Sequence, residues 1–169
     1  MKKKVWILLL AAAVLMTAWR LWPRSLYSVI DAEQSSISML NATVLESGPV
    51  DGEPSHIAYQ MQQIQREDEH FTAFLSILED CGYRPDFRNL LPWAVSSVES
   101  GSHYSNTSAK VSLYPDRAED GGHISLSLLD STTIAVSLPD QDGFLVFHPT
   151  DREMLSRLAR FVKDHGTEQ

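Results

Sequence analysis

The sequence predicts an α+β fold: an N-terminal transmembrane or signal helix, then one antiparallel sheet with two amphipathic helices packed on one face. Three observations carry this. Residues 5–19 form an apolar run behind three lysines. Between 110 and 148, four runs of alternating apolar and polar residues arrive at spacings of about ten, the rhythm of an antiparallel meander. Segments 66–81 and 150–165 each show one apolar stripe at helical spacing.

The first 24 residues, MKKKVWILLLAAAVLMTAWRLWPR, stand apart. A basic start followed by an apolar run is the signature of export. Cleavage needs small residues at −3 and −1, and a cut after Ala18 would put Met16 at −3. An uncleaved anchor is therefore the favoured reading, with membrane contact through residues 5–22, and a cleaved signal is the alternative. Counted through Trp22, the run reaches ~27 Å at ~1.5 Å per residue, close to a hydrocarbon core of ~30 Å. Arg20 can snorkel, Trp19 and Trp22 suit the aromatic belt, and Pro23 stops the helix. The lysines precede the run, so the positive-inside rule puts the rest of the chain outside the cytoplasm.

Residues 25–35 read as a linker. ISMLNATVL at 37–45 and HIAYQMQ at 56–62 read as strands joined through the turn cluster ESGPVDGEPS, a hairpin. Phe71, Phe74, Leu75, Leu78 and Cys81 recur at spacings of three and four, acids crowd the first turn, and Gly82 marks the stop. Residues 83–87 read as extended and 94–98 as a strand; 100–108 is a polar loop. The four meander strands fall at 110–114, 123–129, 131–138 and 144–148. The closing helix opens on TDRE at 150–153, a capping-box pattern in which Thr150 accepts from the Glu153 amide. Met154, Leu155, Leu158, Phe161 and Val162 make its stripe, and Gly166 ends it. Both stripes need a flat apolar partner, which one sheet face supplies; the other face carries Ser, Thr and Lys and lies open. The domain map is an anchor or signal peptide at 1–24, a linker at 25–35 and an α+β domain at 36–166.

After Arg24, nine basic residues face all 22 acids, a balance of −13. Phosphate binding along a nucleic acid needs a Lys/Arg footprint, so nucleic acid is excluded as a partner. Catalytic, cofactor and metal residues are not assigned. Ser102 beside His103 is a poor triad, because triad members come from separate elements. His103, His123 and His148 fall in or beside the sheet, with Asp116 or Asp120 as a possible carboxylate, but lack the close spacing of a zinc site. Asp116, Glu119 and Asp120 lack EF-hand spacing. The pairs Glu79/Asp80 and Asp140/Asp142 have no apolar shield to raise one pKa. Cys81, the only cysteine, reads as a buried small hydrophobe. Trp93 reads as a core cap, or with Tyr104 as a recognition surface beside the 99–109 loop. Asn41-Ala-Thr43 and Asn106-Thr-Ser108 match the glycosylation sequon, which matters only in a eukaryotic secretory pathway.

In element order, the runs ISMLNATVL, HIAYQMQ, REDEHFTAFLSILEDC, KVSLYP, HISLSLL, TTIAVSL, GFLVFHP and TDREMLSRLARFV resemble small membrane-anchored extracytoplasmic α+β domains of unknown function from Gram-positive bacteria. The resemblance implies a bacterial membrane address and brings no activity and no site residue. The expectation is a non-enzymatic domain for protein interaction or sensing, anchored by one helix with its C-terminal domain outside the cytoplasm. Its partners would be the membrane and a protein. The alternatives are a small cell-envelope hydrolase or metal-dependent protein using the three histidines, and a secreted inhibitor or binding module.

Overall fold

The alternating runs pair into one antiparallel sheet of eight strands in the computed structural model, which describes residues 2–50, 53–90, 106–116, 122–139 and 141–169. Helix α1 (Lys2–Arg20) is followed by α2 (Leu26–Ile30), then by the hairpin β1 (Ile37–Val50) and β2 (Glu53–Gln65). Helix α3 (Glu69–Glu79) leads to the short strand β3 (Tyr83–Pro85) and a 3-10 turn, Phe87–Leu90. The meander is β4 (Thr107–Pro115), β5 (Ile124–Leu128), β6 (Ile134–Ser137) and β7 (Leu145–Pro149). Helix α4 (Met154–His165) and the two-residue strand β8 (Thr167–Glu168) close the chain. The order across the sheet is β3-β7-β6-β5-β4-β1-β2-β8. The expected strand at 94–98 and most of the loop at 99–109 lie outside the described residues. Residues 107–109 belong to β4 rather than to that loop.

Register puts the apolar residues of neighbouring strands side by side. Ala42, Val111, Leu126 and Val136 form one row across four strands, and Val44, Ala109, Leu128 and Ile134 form the next. All eight are buried. They share one core with Phe74, Leu75 and Leu78 of α3 and with Leu155, Leu158 and Val162 of α4. The opposite rows, Asn41-Ser112-Ser125-Ser137 and Thr43-Lys110-Ser127-Ala135, carry Asn, Ser, Thr and Lys with one Ala. A bulge follows Leu40, where Gln63 takes a φ of 56° and its amide donates to Asn41 Oδ1 at 2.6 Å.

Helices α3 and α4 cross the core face antiparallel. The start of α3 meets the end of α4, where the rings of His70, Phe161 and His165 make edge-on and tilted contacts; the end of α3 meets the start of α4, where Asp80 lies 3.8 Å from Arg157. Acidic crowding ahead of α3 ends in a true cap, Asp68, which accepts from the His70 amide.

Two local expectations are corrected. Residues 25–35 are no linker: Leu26, Val29 and Ile30 are buried in the core, and Arg24 exchanges backbone hydrogen bonds of 2.9 and 2.8 Å with Tyr83. The capping box does not form either. Thr150 Oγ1 accepts from the Gly82 amide at 2.9 Å, Asp151 takes the Glu153 amide instead, and α4 begins at Met154 without a side-chain cap. Thr150 thus ties α4 to the end of α3. Thr150→Val should lower unfolding free energy by about 1 kcal/mol, the net worth of one such bond, read from the midpoint of denaturant unfolding at unchanged slope.

Helix α1 differs from the rest. Its described large apolar side chains are exposed, among them Trp6, Leu10, Leu15 and Trp19. No helix among the described residues is long and apolar enough to cross a membrane. The helix ends at Arg20, so the reach counted through Trp22 is not helical to its end.

Candidate functional site

The β3–β7 edge of the sheet gathers the polar chemistry. β3 is three residues long, and Pro85 presents no N–H along its outer edge. Asp86 follows it and its amide still bonds Val146 O at 2.9 Å. The chain then turns over the edge of β7 through Phe87–Leu90. There the Asn89 carboxamide donates to Val146 O at 2.6 Å and accepts from Val146 N at 2.8 Å, closing a strand edge that would otherwise be open.

Asp86 is the one buried charged residue among the described residues, 5% exposed. Its Oδ1 accepts from the Arg88 amide at 2.7 Å and from Arg88 Nε at 3.0 Å. Its Oδ2 accepts from Arg88 Nη2 at 2.7 Å and lies 2.9 Å from His148 Nε2. The Arg88 hydrogen bonds hold the carboxyl well below the usual carboxylate range, against the opposing effect of burial. The same bonds push the Arg88 guanidinium further up. The other ring nitrogen of His148, Nδ1, lies 2.7 Å from the Thr132 carbonyl. Thr132 is itself held by Asp130, which accepts from its amide and its hydroxyl.

This geometry decides what the group can do. A carbonyl and an ionised carboxylate only accept, so both ring nitrogens of His148 face acceptors. Neither ring nitrogen is turned towards a substrate, as that of a general base must be. Asp86 is ionised and engaged on both oxygens, so it has no proton to donate. The His–Asp contact is a clamp joining β3, β7 and the β5–β6 turn, and it forms the wall of a cleft.

That cleft, about 740 Å³, lies between the end of α1 and the sheet edge. Trp19 through Arg24 line one side; Pro85, Asp86, Asn89 and Leu90 line the other. A second groove, about 400 Å³, runs along α4 past Arg152, Arg160 and Lys163. Lys163 is already paired with Glu46 at 2.5 Å.

The residues singled out from sequence scatter. His148 enters the clamp, while His123 stacks on Tyr114 at the far end of β5, with a ring-centroid distance of 5.4 Å. Five residues of strand separate the two ends by ~17 Å. His103, Ser102, Trp93, Tyr104, Glu119, Asp120 and Asp140 lie outside the described residues. Asp116 pairs with Arg66 at 2.7 Å. Among the described residues no group of three or more His, Cys, Asp or Glu is placed to hold a metal ion. Cys81 is buried, its thiol against the Gly82 carbonyl. Glu79 accepts from the Tyr27 hydroxyl and from Gln34 Nε2; burial, with that hydrogen bond and the Glu79 charge behind it, pushes the Tyr27 phenol far above its ordinary value.

Asp86 and Arg88 were missed from sequence. The one available signal was local: an Asp whose side chain caps the amide two residues on, in PDFRN. No family model, curated protein or solved structure matches the chain.

Proposed function

We propose that this protein is a non-enzymatic domain held at the outer face of a membrane by its own N-terminal helix, where it engages a protein partner. The observation that carries the reading is α1, a helix whose described large apolar side chains are exposed on every side, while elsewhere among the described residues most such side chains share one core. In water that surface would aggregate; in lipid it is satisfied. The 15-residue apolar part, 5–19, reaches only ~22 Å of a ~30 Å core. Snorkelling of the flanking lysines and Arg20, with local thinning of the bilayer, makes up the difference. The saturated Asp86–His148 contact favours an interaction role over a hydrolytic one.

The surface offered is the polar sheet face, lined by the half-buried Ser112, Ser125 and Ser127 and the exposed Lys110. A photo-crosslinking residue at Ser127 should trap a protein adduct in native membranes, and the same residue at Arg160 on the helix layer should not. Equal trapping at both, or at neither, counts against this surface. For the address, a C-terminal alkaline phosphatase fusion should be active, and the fusion should stay in the membrane pellet at alkaline pH. A phosphatase-silent fusion that is soluble in the cytosol overturns the reading.

A further inference from the structure

We propose that the cleft between the end of α1 and the β3–β7 edge binds the phosphate headgroup of one anionic phospholipid from the outer leaflet. This rests on the anchor reading, which puts the end of α1 at headgroup depth. Four observations point to this occupant. Arg20 and Arg24 both line the cleft, and among the described residues neither makes an ion pair or a side-chain hydrogen bond. The carboxylate in the opposite wall, Asp86, is spent on Arg88 and His148, so it leaves the two guanidiniums uncompensated. In a body carrying −13, an anion is drawn here against the general repulsion. Large exposed apolar side chains line the cleft: Trp19 is 81% exposed, Trp22 69% and Leu90 43%. Aromatic residues of that kind sit where acyl chains give way to headgroups.

The volume of about 740 Å³ is in the range of small-molecule sites. The walls are also set in advance. Arg24 is locked to Tyr83 through both its backbone N–H and its C=O, and Pro23 lies against Gly82. No flexible segment separates anchor from domain, so a bound lipid does not have to order one. The short apolar span adds a pull in the same direction, because it draws the cleft at the end of α1, Leu90 included, towards the bilayer.

The test uses the full chain reconstituted into nanodiscs of phosphatidylcholine with increasing phosphatidylglycerol, then released for native mass spectrometry. One phosphatidylglycerol per chain should be retained in preference to phosphatidylcholine. Arg20→Gln/Arg24→Gln should weaken retention ~30-fold, the combined effect of two cations near a lipid surface. Both side chains are unpaired among the described residues, so circular dichroism should be unchanged. Arg152→Gln/Arg160→Gln, in the α4 groove, should retain lipid as the parent does. Equal retention of both lipids, or a double variant that retains phosphatidylglycerol like the parent, overturns the site. If the chain does not float with the bilayer at all, the anchor reading falls and takes this one with it. If it floats without lipid preference, the site alone falls.

Discussion

A chain that begins at Ser36 will not fold, whereas one that begins at Pro23 will. The expectation follows from what residues 24–35 do. Leu26, Val29 and Ile30 are at most 4% exposed and belong to the same core as α3 and α4. Burying three such side chains is worth about 5–9 kcal/mol by area, an upper bound. Deletion also removes the Arg24–Tyr83 bridge and the hydroxyl that Tyr27 gives to Glu79. The ordering entropy of the segment is recovered, but the apolar surface it covered remains behind and is wetted. A loss of about 5 kcal/mol equals the whole stability of many domains. Thermal unfolding followed by circular dichroism separates the cases: a cooperative transition for the chain from Pro23, none for the chain from Ser36. In the full chain, Ile30→Asp should have a similar effect, since it places an unpaired charge in the core. A cooperative transition for the Ser36 chain would return residues 25–35 to the status of a linker.

That segment shows where sequence reading stops. The meander from 110 to 148 was legible because alternation repeats in each strand, and the register then matches apolar rows across the sheet. Helices α3 and α4 were legible for the same reason at a period of 3.6. Leu26, Val29 and Ile30 also follow helical spacing, but a five-residue helix among Ser, Asp and Glu is too short for a period to register. The arms of β1 and β2 extend past their alternation into the Pro- and Gly-containing tip, where pairing continues regardless of composition. Thr150 satisfied a local motif, yet the Gly82 amide, 68 residues away, claimed its oxygen. The clamp at the sheet edge was illegible for that reason too: Asp86 and His148 lie 62 residues apart and meet only because β3 pairs with β7.

Asp86→Ala should destabilise the fold by about 2–3 kcal/mol, and the loss should depend on pH. Four hydrogen bonds to the carboxylate go at once, and bonds to charged groups are worth about 1.5–3 kcal/mol each but do not add within one cluster. The cost stays below that of a fully buried pair, because Arg88 is 30% exposed and water can reach it once its partner is gone. The sign with pH follows from the lowered carboxyl. At neutral pH Asp86 is ionised in both folded and unfolded chains, and its contribution is complete. As pH falls below the ordinary carboxylate value of about 3.9, the unfolded chain takes up the proton first. Stability then drains away until pH passes the lower folded value. Asp86→Asn keeps the shape and cannot titrate, so the gap between parent and variant should hold from pH 7 to about pH 5 and narrow steadily below pH 4. Denaturant unfolding at pH 7, 5, 4 and 3 measures that gap. A gap that stays constant to pH 3 would mean that the carboxylate gains nothing from its charge, and that the clamp is held by shape alone.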